Sequence, residues 1–125
     1  MTGIVVVTHA ALGEAVRHEA ENILGYALPV VTVAVSYRTQ IEATLKHLRE
    51  TFARSADAQG LLVITDLPGA TPHNLATQAA QAMGYPVVSG LNLPMLLKVT
   101  NHADNPPAEL AQLAVAGGTQ GVVQS

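Results

Sequence analysis

Four short apolar segments alternate with helical patterns along the whole chain, and this alternation constrains the fold more than any other feature. The segments are rich in β-branched residues, which is typical of strands buried on both faces, and they lie at residues 4–7, 29–35, 61–65 and 86–89. Strands that alternate with helices predict right-handed crossovers and a parallel sheet. We therefore predict an α/β fold, a three-layer sandwich with a central four-stranded parallel sheet and helices on both faces.

Particular residues mark where three of the helices begin or end. Gly25 follows the last apolar pair of the first helix and predicts the end of that helix. Thr39 and Glu42 have the spacing of a capping box at the start of the second helix. Thr71 directly before Pro72 predicts a helix start in which Thr71 is the N-cap.

The C-terminal segment predicts one more helix and a short strand. A helix over residues 108–116 is expected to end at Gly117 and Gly118. Residues 121–123 then predict a short final strand. We expect this strand to be swapped and antiparallel, pairing with the sheet edge of a second copy in a homodimer.

Composition limits the class of protein and its partners. The chain has 125 residues, of which 49% are hydrophobic and 12% charged, so we expect one globular domain over residues 1–125. The net charge of −3 and the absence of tryptophan argue against a nucleic-acid partner. The chain has no cysteine, which excludes disulfides and thiolate metal ligands. No stretch resembles a signal peptide or a membrane span, so we expect a cytoplasmic protein that does not insert into the membrane.

Two residues that could take part in a reaction follow the two most apolar strands. His9 comes after the first strand and Asp66 after the third. If these strands are neighbours at the sheet centre, with the second strand wound the other way, both side chains face the topological switch point, where ligands bind. A carboxylate on one ring nitrogen fixes the imidazole tautomer and leaves the other nitrogen free to attack. With free amides at the start of the Thr71 helix, which suit an anion, the pattern predicts phosphoryl transfer through phosphohistidine.

Other interpretations of these residues stay open at this stage. A histidine in a loop after a strand is more often structural than catalytic, and Asp66 alone could serve only to cap its loop. His73 lies in the first turn of a helix, where the helix dipole disfavours a cation, so we interpret it as a surface residue. A metal site built from His9, His73 and Asp66 has no supporting ligand spacing, and we expect no cofactor. A small-molecule or flavin binder is an alternative from another class.

Three segments together resemble the enzyme IIA domain of the mannose-type phosphotransferase system. They are residues 3–9 (GIVVVTH), 66–74 (DLPGATPHN) and 90–96 (GLNLPML), in the family's order and at the family's spacing. The resemblance covers essentially the whole chain. It implies a parallel α/β sandwich with a C-terminal strand that is often exchanged across a homodimer.

The resemblance also implies a role for each matching residue. His9 would accept a phosphoryl group from phospho-HPr and pass it to a IIB-type component for sugar uptake. Asp66 would orient the imidazole, and the Thr71 hydroxyl would contact the phosphoryl group. Further residues are expected to border the same site: Thr8, Gly69, Ala70, Pro72, Asn92, Pro94 and Met95.

The sequence departs from the usual family pattern in its loop and at its end. The family loop reads Asp-x-x-Gly-Gly-Ser/Thr-Pro-x-Asn, whereas Pro68 and Ala70 stiffen it here. His73 stands where relatives often carry an apolar residue. No linker or IIB domain follows Ser125, so we expect the phosphate acceptor to be a separate protein. The alternative is a stand-alone regulatory protein whose His9 phosphorylation controls a partner. A phosphocarrier for dihydroxyacetone kinase is disfavoured, because its relatives carry a different loop at residues 66–74.

Overall fold

Strands and helices alternate along the computed structural model, which describes all of residues 1–125. The bounds are β1 Gly3–His9, α1 Leu12–Leu24, β2 Val30–Val35, α2 Ile41–Ser55, β3 Leu61–Thr65, α3 Thr71–Met83, β4 Val87–Val88, α4 Leu93–Asn101 and α5 Pro107–Gln120. None of the five helices is both long enough and apolar enough to span a bilayer. The predicted α/β alternation is confirmed.

The four strands form one parallel sheet in the order β2-β1-β3-β4. In the register of this sheet Val5 lies between Val31 of β2 and Val63 of β3, and His9 pairs with Val35. The chain therefore winds outward from β1 in both directions, and the switch point lies between the ends of β1 and β3. This confirms that the first and third strands are neighbours at the sheet centre.

Each face of the sheet is covered by its own set of helices. Val5 and Val7 point to one face and pack with the buried side chains of α2 and α3. Ile4 and Val6 point to the other face and pack with α1, α4 and α5. Because successive side chains of a strand alternate between faces, a continuous β-branched run serves both cores. The predicted three-layer arrangement is confirmed.

The C-terminal segment differs from its prediction. The last helix does not end at Gly117 and Gly118 but continues to Gln120, and residues 121–125 form no strand and are exposed. A Cβ on Gly117 would lie 2.6 Å from the Cβ of Lys98, and one on Gly118 would lie 2.8 Å from the Cε of Met95. These glycines therefore allow α5 to pack closely on α4 instead of ending the helix. Pairing of residues 121–123 with a second copy stays a prediction.

Two predicted helix caps are also wrong. The N-cap of α2 is Gln40, and no side chain caps that helix. The Thr39 amide donates to the Ser36 carbonyl in the preceding turn instead of to Glu42. The N-cap of α3 is Ala70, so Thr71 is the first residue of the helix. The end of α1 at Gly25 is confirmed, since this glycine adopts the left-handed conformation with φ of 82°.

Candidate functional site

The turn between β1 and α1 fixes His9 at the edge of the sheet. The buried Thr8 hydroxyl accepts a hydrogen bond from the Gly13 amide at 2.8 Å and donates to the His9 carbonyl at 3.2 Å. Ala10 has a positive φ of 42°, a conformation that costs a residue other than glycine about 1–2 kcal/mol. Its amide donates to the Val35 carbonyl at 3.2 Å. The backbone on both sides of His9 is therefore held by neighbouring strand and helix.

His9 and Asp66 form a close pair across the switch point. His9 Nδ1 lies 2.7 Å from Asp66 Oδ2, and the same oxygen accepts the His9 backbone amide at 2.9 Å. An ionised carboxylate can only accept hydrogen bonds, so Nδ1 carries the hydrogen and Nε2 presents a lone pair. The side chain of Asp66 is 6% exposed and that of His9 is 26% exposed. The pair is therefore rigid on the Asp66 side and accessible on the His9 side.

The environment keeps Asp66 ionised. Burial by itself raises the pKa of Asp66, but hydrogen bonds from the His9 backbone and ring, together with the positive charge that the His9 ring carries when it is protonated, outweigh burial and lower the pKa below its ordinary value of 3.8. The other oxygen, Oδ1, is buried and has no hydrogen-bond partner. A fixed negative charge beside the imidazole stabilises the imidazolium that forms when Nε2 acquires a bond.

A cavity of about 460 Å³ opens beside His9. Two loops at the same edge of the sheet form its walls: one joins β2 to α2, and the other joins β3 to α3. Besides His9, the cavity is lined by Val35, Ser36, Tyr37, Thr39, Ile41, Gly69, Ala70, Thr71 and Pro72. A ligand on the imidazole therefore meets residues from both loops.

The start of α3, where Thr71 and Pro72 line the cavity, has unpaired backbone donors. The Asn74 amide donates to the carbonyl of Ala70 at 2.9 Å, whereas the amides of Thr71 and His73 have no acceptor in the chain. The Asn74 side chain donates to the Gly69 carbonyl at 3.1 Å and holds the loop against the helix. No acidic residue lies in the first turn. Free amides at the positive end of a helix dipole suit an anion.

The structure brings only part of the sequence-predicted set together. His9 and residues 69–72 share the cavity, with Asp66 behind the imidazole. Thr8 is 1% exposed and lies beneath the turn, outside the cavity. Asn92 instead caps α4, accepting from the Met95 amide at 2.9 Å, and Pro94 lies against Gly121. The segment at residues 92–95 therefore shapes the α4–α5 contact and does not line the cavity beside His9.

The sequence analysis missed the loop between β2 and α2. Tyr37 in this loop has its ring centroid 5.6 Å from that of His9, with an angle of 37° between the ring planes. The available signal was topological, because β2 ends at the same edge of the sheet as β1 and Val35 pairs with His9. A loop that follows a neighbouring parallel strand reaches the same edge.

His73 is not the surface residue that the sequence suggested. Its Nδ1 lies 2.7 Å from the hydroxyl of Thr65, which is fully buried, and its Nε2 lies 3.4 Å from the hydroxyl of Thr77. His73 thus connects the end of β3 to α3 behind the cavity. No three histidine, aspartate or glutamate side chains are grouped so as to hold a metal ion.

Comparisons with known proteins show the family to which the chain belongs. The family model for the mannose-type IIA proteins (EIIA-man), described as the PTS system fructose IIA component, matches residues 3–113. The chain belongs to this family. The resemblance found in the sequence is thereby confirmed. The match assigns the chain to the IIA components of the mannose family of the phosphotransferase system.

One curated relative is similar to the chain in sequence, and two solved structures are similar to it in fold. The chain is 30% identical over 122 residues to the mannose-specific EIIAB component of Escherichia coli K12, and the match covers 95% of this chain but 38% of that protein. The mannose/sorbose-specific IIA subunit from Enterococcus faecalis shares the fold, with a TM-score of 0.88, 23% identity and coverage of 99% and 94% of the two chains. A phosphotransferase component EIIA from Streptococcus agalactiae gives a TM-score of 0.83, with 25% identity and coverage of 99% and 97%.

Proposed function

We propose that this protein is a phosphocarrier, which accepts a phosphoryl group from phospho-HPr on Nε2 of His9 and passes it to a IIB-type component for sugar uptake. The contact between His9 Nδ1 and Asp66 at 2.7 Å carries the proposal. It occupies one ring nitrogen and leaves the other as the nucleophile, beside a cavity whose wall presents free amides. Family membership supports the general reaction.

The proposed transfer exchanges one phosphorus–nitrogen bond for another. Nε2 of His9 attacks the phosphorus, a P–N bond to Nε2 forms, and the P–N bond in phospho-HPr breaks with its electron pair returning to the donor imidazole. Asp66 stabilises the positive charge that develops on the His9 ring. The Thr71 hydroxyl and the free amides at the start of α3 stabilise the phosphoryl oxygens. Delivery to the acceptor reverses these steps.

A single nitrogen serves both half-reactions, so donor and acceptor must use the site in turn. The cavity beside His9 is open to solvent on one side, and His9 itself is 26% exposed. We therefore expect ping-pong kinetics, with a covalent phosphoprotein between the two partners.

The test is phosphorylation with phosphoenolpyruvate, Enzyme I and HPr, followed by intact mass spectrometry. We expect one acid-labile phosphoryl group on the wild-type protein and none on His9→Ala. His47→Ala is the matched control, because His47 is exposed on α2, outside the cavity, and should be phosphorylated like the wild type. A wild-type protein that takes up no phosphoryl group, or a labelled His9→Ala, contradicts the proposal.

A further inference from the structure

Tyr37 is an aromatic residue placed against the reactive imidazole. Its ring centroid lies 5.6 Å from that of His9, within the usual range for aromatic pairs, and both residues line the same cavity. Asp66 already occupies the Nδ1 edge of the imidazole. The two neighbours therefore contact different parts of the ring, one through a hydrogen bond and the other through an aromatic surface.

The backbone at the start of the loop that carries Tyr37 is held in place, whereas the Tyr37 side chain is exposed. Val35 pairs with His9 in the sheet and its carbonyl accepts the Ala10 amide, so the end of β2 is held beside the end of β1. The Thr39 amide closes a turn on the Ser36 carbonyl. The Tyr37 side chain is nevertheless 89% exposed, and its only aromatic neighbour is His9. Core packing therefore does not explain its position.

We propose that Tyr37 is a positioning residue that slows hydrolysis of the phosphohistidine at His9. This inference rests on the proposed function, because it concerns the lifetime of the phosphohistidine that the phosphocarrier would form. The electron-rich ring of Tyr37, whose centroid lies 5.6 Å from that of His9, stabilises the positive charge of the phosphoimidazolium.

The reaction that Tyr37 would slow is hydrolysis. A water oxygen forms a bond to phosphorus, the P–Nε2 bond breaks, and the electron pair of that bond returns to Nε2. Inorganic phosphate leaves, and the proton released by water passes to the phosphate or to solvent. The positive charge on the ring decreases as the P–N bond breaks. A contact that stabilises this charge therefore stabilises the phosphorylated state more than the transition state for hydrolysis.

The measurement is the half-life of the phosphohistidine in Tyr37→Ala, Tyr37→Phe and the wild-type protein. We expect Tyr37→Ala to shorten the half-life about two- to five-fold, the range that a cation–π contact at an exposed site supports. Tyr37→Phe keeps the aromatic face and should retain the wild-type half-life. The matched control is Tyr26→Ala, since Tyr26 is also exposed but lies between α1 and β2 at the opposite edge of the sheet.

The labelling step separates this inference from the proposed function. Potassium phosphoramidate, a small chemical donor, is used to phosphorylate His9 in one series, and phospho-HPr is used in a second. Labelling by phosphoramidate alone contradicts the phosphocarrier proposal but still allows the half-lives to be compared. An unchanged half-life in Tyr37→Ala, or an equal loss in Tyr37→Phe or Tyr26→Ala, overturns the role of Tyr37. If only phospho-HPr labels His9, the half-lives from that series decide the role of Tyr37, and failure of both donors to label His9 overturns it.

Discussion

Two histidines of this protein have the same close contact at Nδ1 but very different surroundings. His9 Nδ1 lies 2.7 Å from the carboxylate of Asp66, and His73 Nδ1 lies 2.7 Å from the hydroxyl of Thr65, the residue directly before Asp66. The second nitrogen of His73 faces the hydroxyl of Thr77 at 3.4 Å, whereas Nε2 of His9 has no hydrogen-bond partner in the chain.

The difference shows what turns a histidine at this edge of the sheet into a candidate nucleophile. A neutral hydroxyl can donate or accept and therefore does not fix the tautomer of His73, whereas the carboxylate of Asp66 can only accept and fixes that of His9. The carboxylate also compensates the charge that develops on the ring during reaction. We therefore expect the charged contact to control reactivity and the neutral contact to control stability.

The largest expected effect follows from removing the charge in one of these contacts. Asp66→Asn should slow phosphorylation of His9 by phospho-HPr about 100-fold or more, because a neutral amide cannot compensate the positive charge that develops on the His9 ring. Rapid-quench measurement of phosphoprotein formation gives this rate.

The neighbouring substitution Thr65→Val is the matched control for that rate. It removes the hydroxyl that contacts His73 but leaves Asp66 and His9 in place. We expect its phosphorylation rate to stay within about three-fold of the wild type, a difference of less than 1 kcal/mol in the barrier. Equal rates in Asp66→Asn and Thr65→Val would contradict the division between reactivity and stability.

A smaller effect is expected from the neutral contact. His73→Leu leaves the buried Thr65 hydroxyl without its partner, so the free energy of unfolding should fall by about 1–3 kcal/mol. Combining His73→Leu with Thr65→Val removes both partners and should recover part of that loss. Urea denaturation of the two single variants and the double variant measures the coupling. Strictly additive losses would show that the hydroxyl–imidazole contact does not stabilise the fold.

The smallest expected effect is a change in stability with pH. The pKa of Asp66 in the folded protein lies below the ordinary 3.8, so in acid the unfolded chain takes up this proton first. The contribution of ionised Asp66 to the free energy of unfolding is therefore present above its ordinary pKa of 3.8 and is lost as the pH falls toward the lower pKa of the folded state. The destabilisation caused by Asp66→Asn should be larger at about pH 5 than at about pH 3, as measured by urea denaturation. A difference that grows on acidification would contradict this sign.

The parts of the fold that depend on local patterns were predictable from the sequence. The β-branched segments predicted the strands, and Gly25 predicted the end of α1. The wrong predictions of helix ends lie where a local sequence signal and tertiary packing favour different structures. Gly117 and Gly118 look like a helix end, yet they lie buried against Lys98 and Met95, and close contact between two helices uses their missing side chains.

The part of the candidate site that depends on which strands are neighbours was predictable from the sequence. His9 and Asp66 follow adjacent strands, so their convergence follows from parallel pairing. The loop with Tyr37 was missed because no pattern within the loop marks it, and only the position of β2 beside β1 brings it to His9. His73 was misjudged because its partners lie on β3 and one helical turn further along α3.

The sequence by itself determined the alternating elements, the two-sided burial of the strands and the identity of the reactive pair as a histidine and an aspartate. These depend on periodicity and on residue chemistry, which are local properties. The tertiary structure decided that Nδ1 meets the carboxylate across 57 residues of chain, that Nε2 is left free, and that Tyr37 lies against the same ring. Those outcomes depend on distances between separate elements, which are set by how the sheet and helices pack.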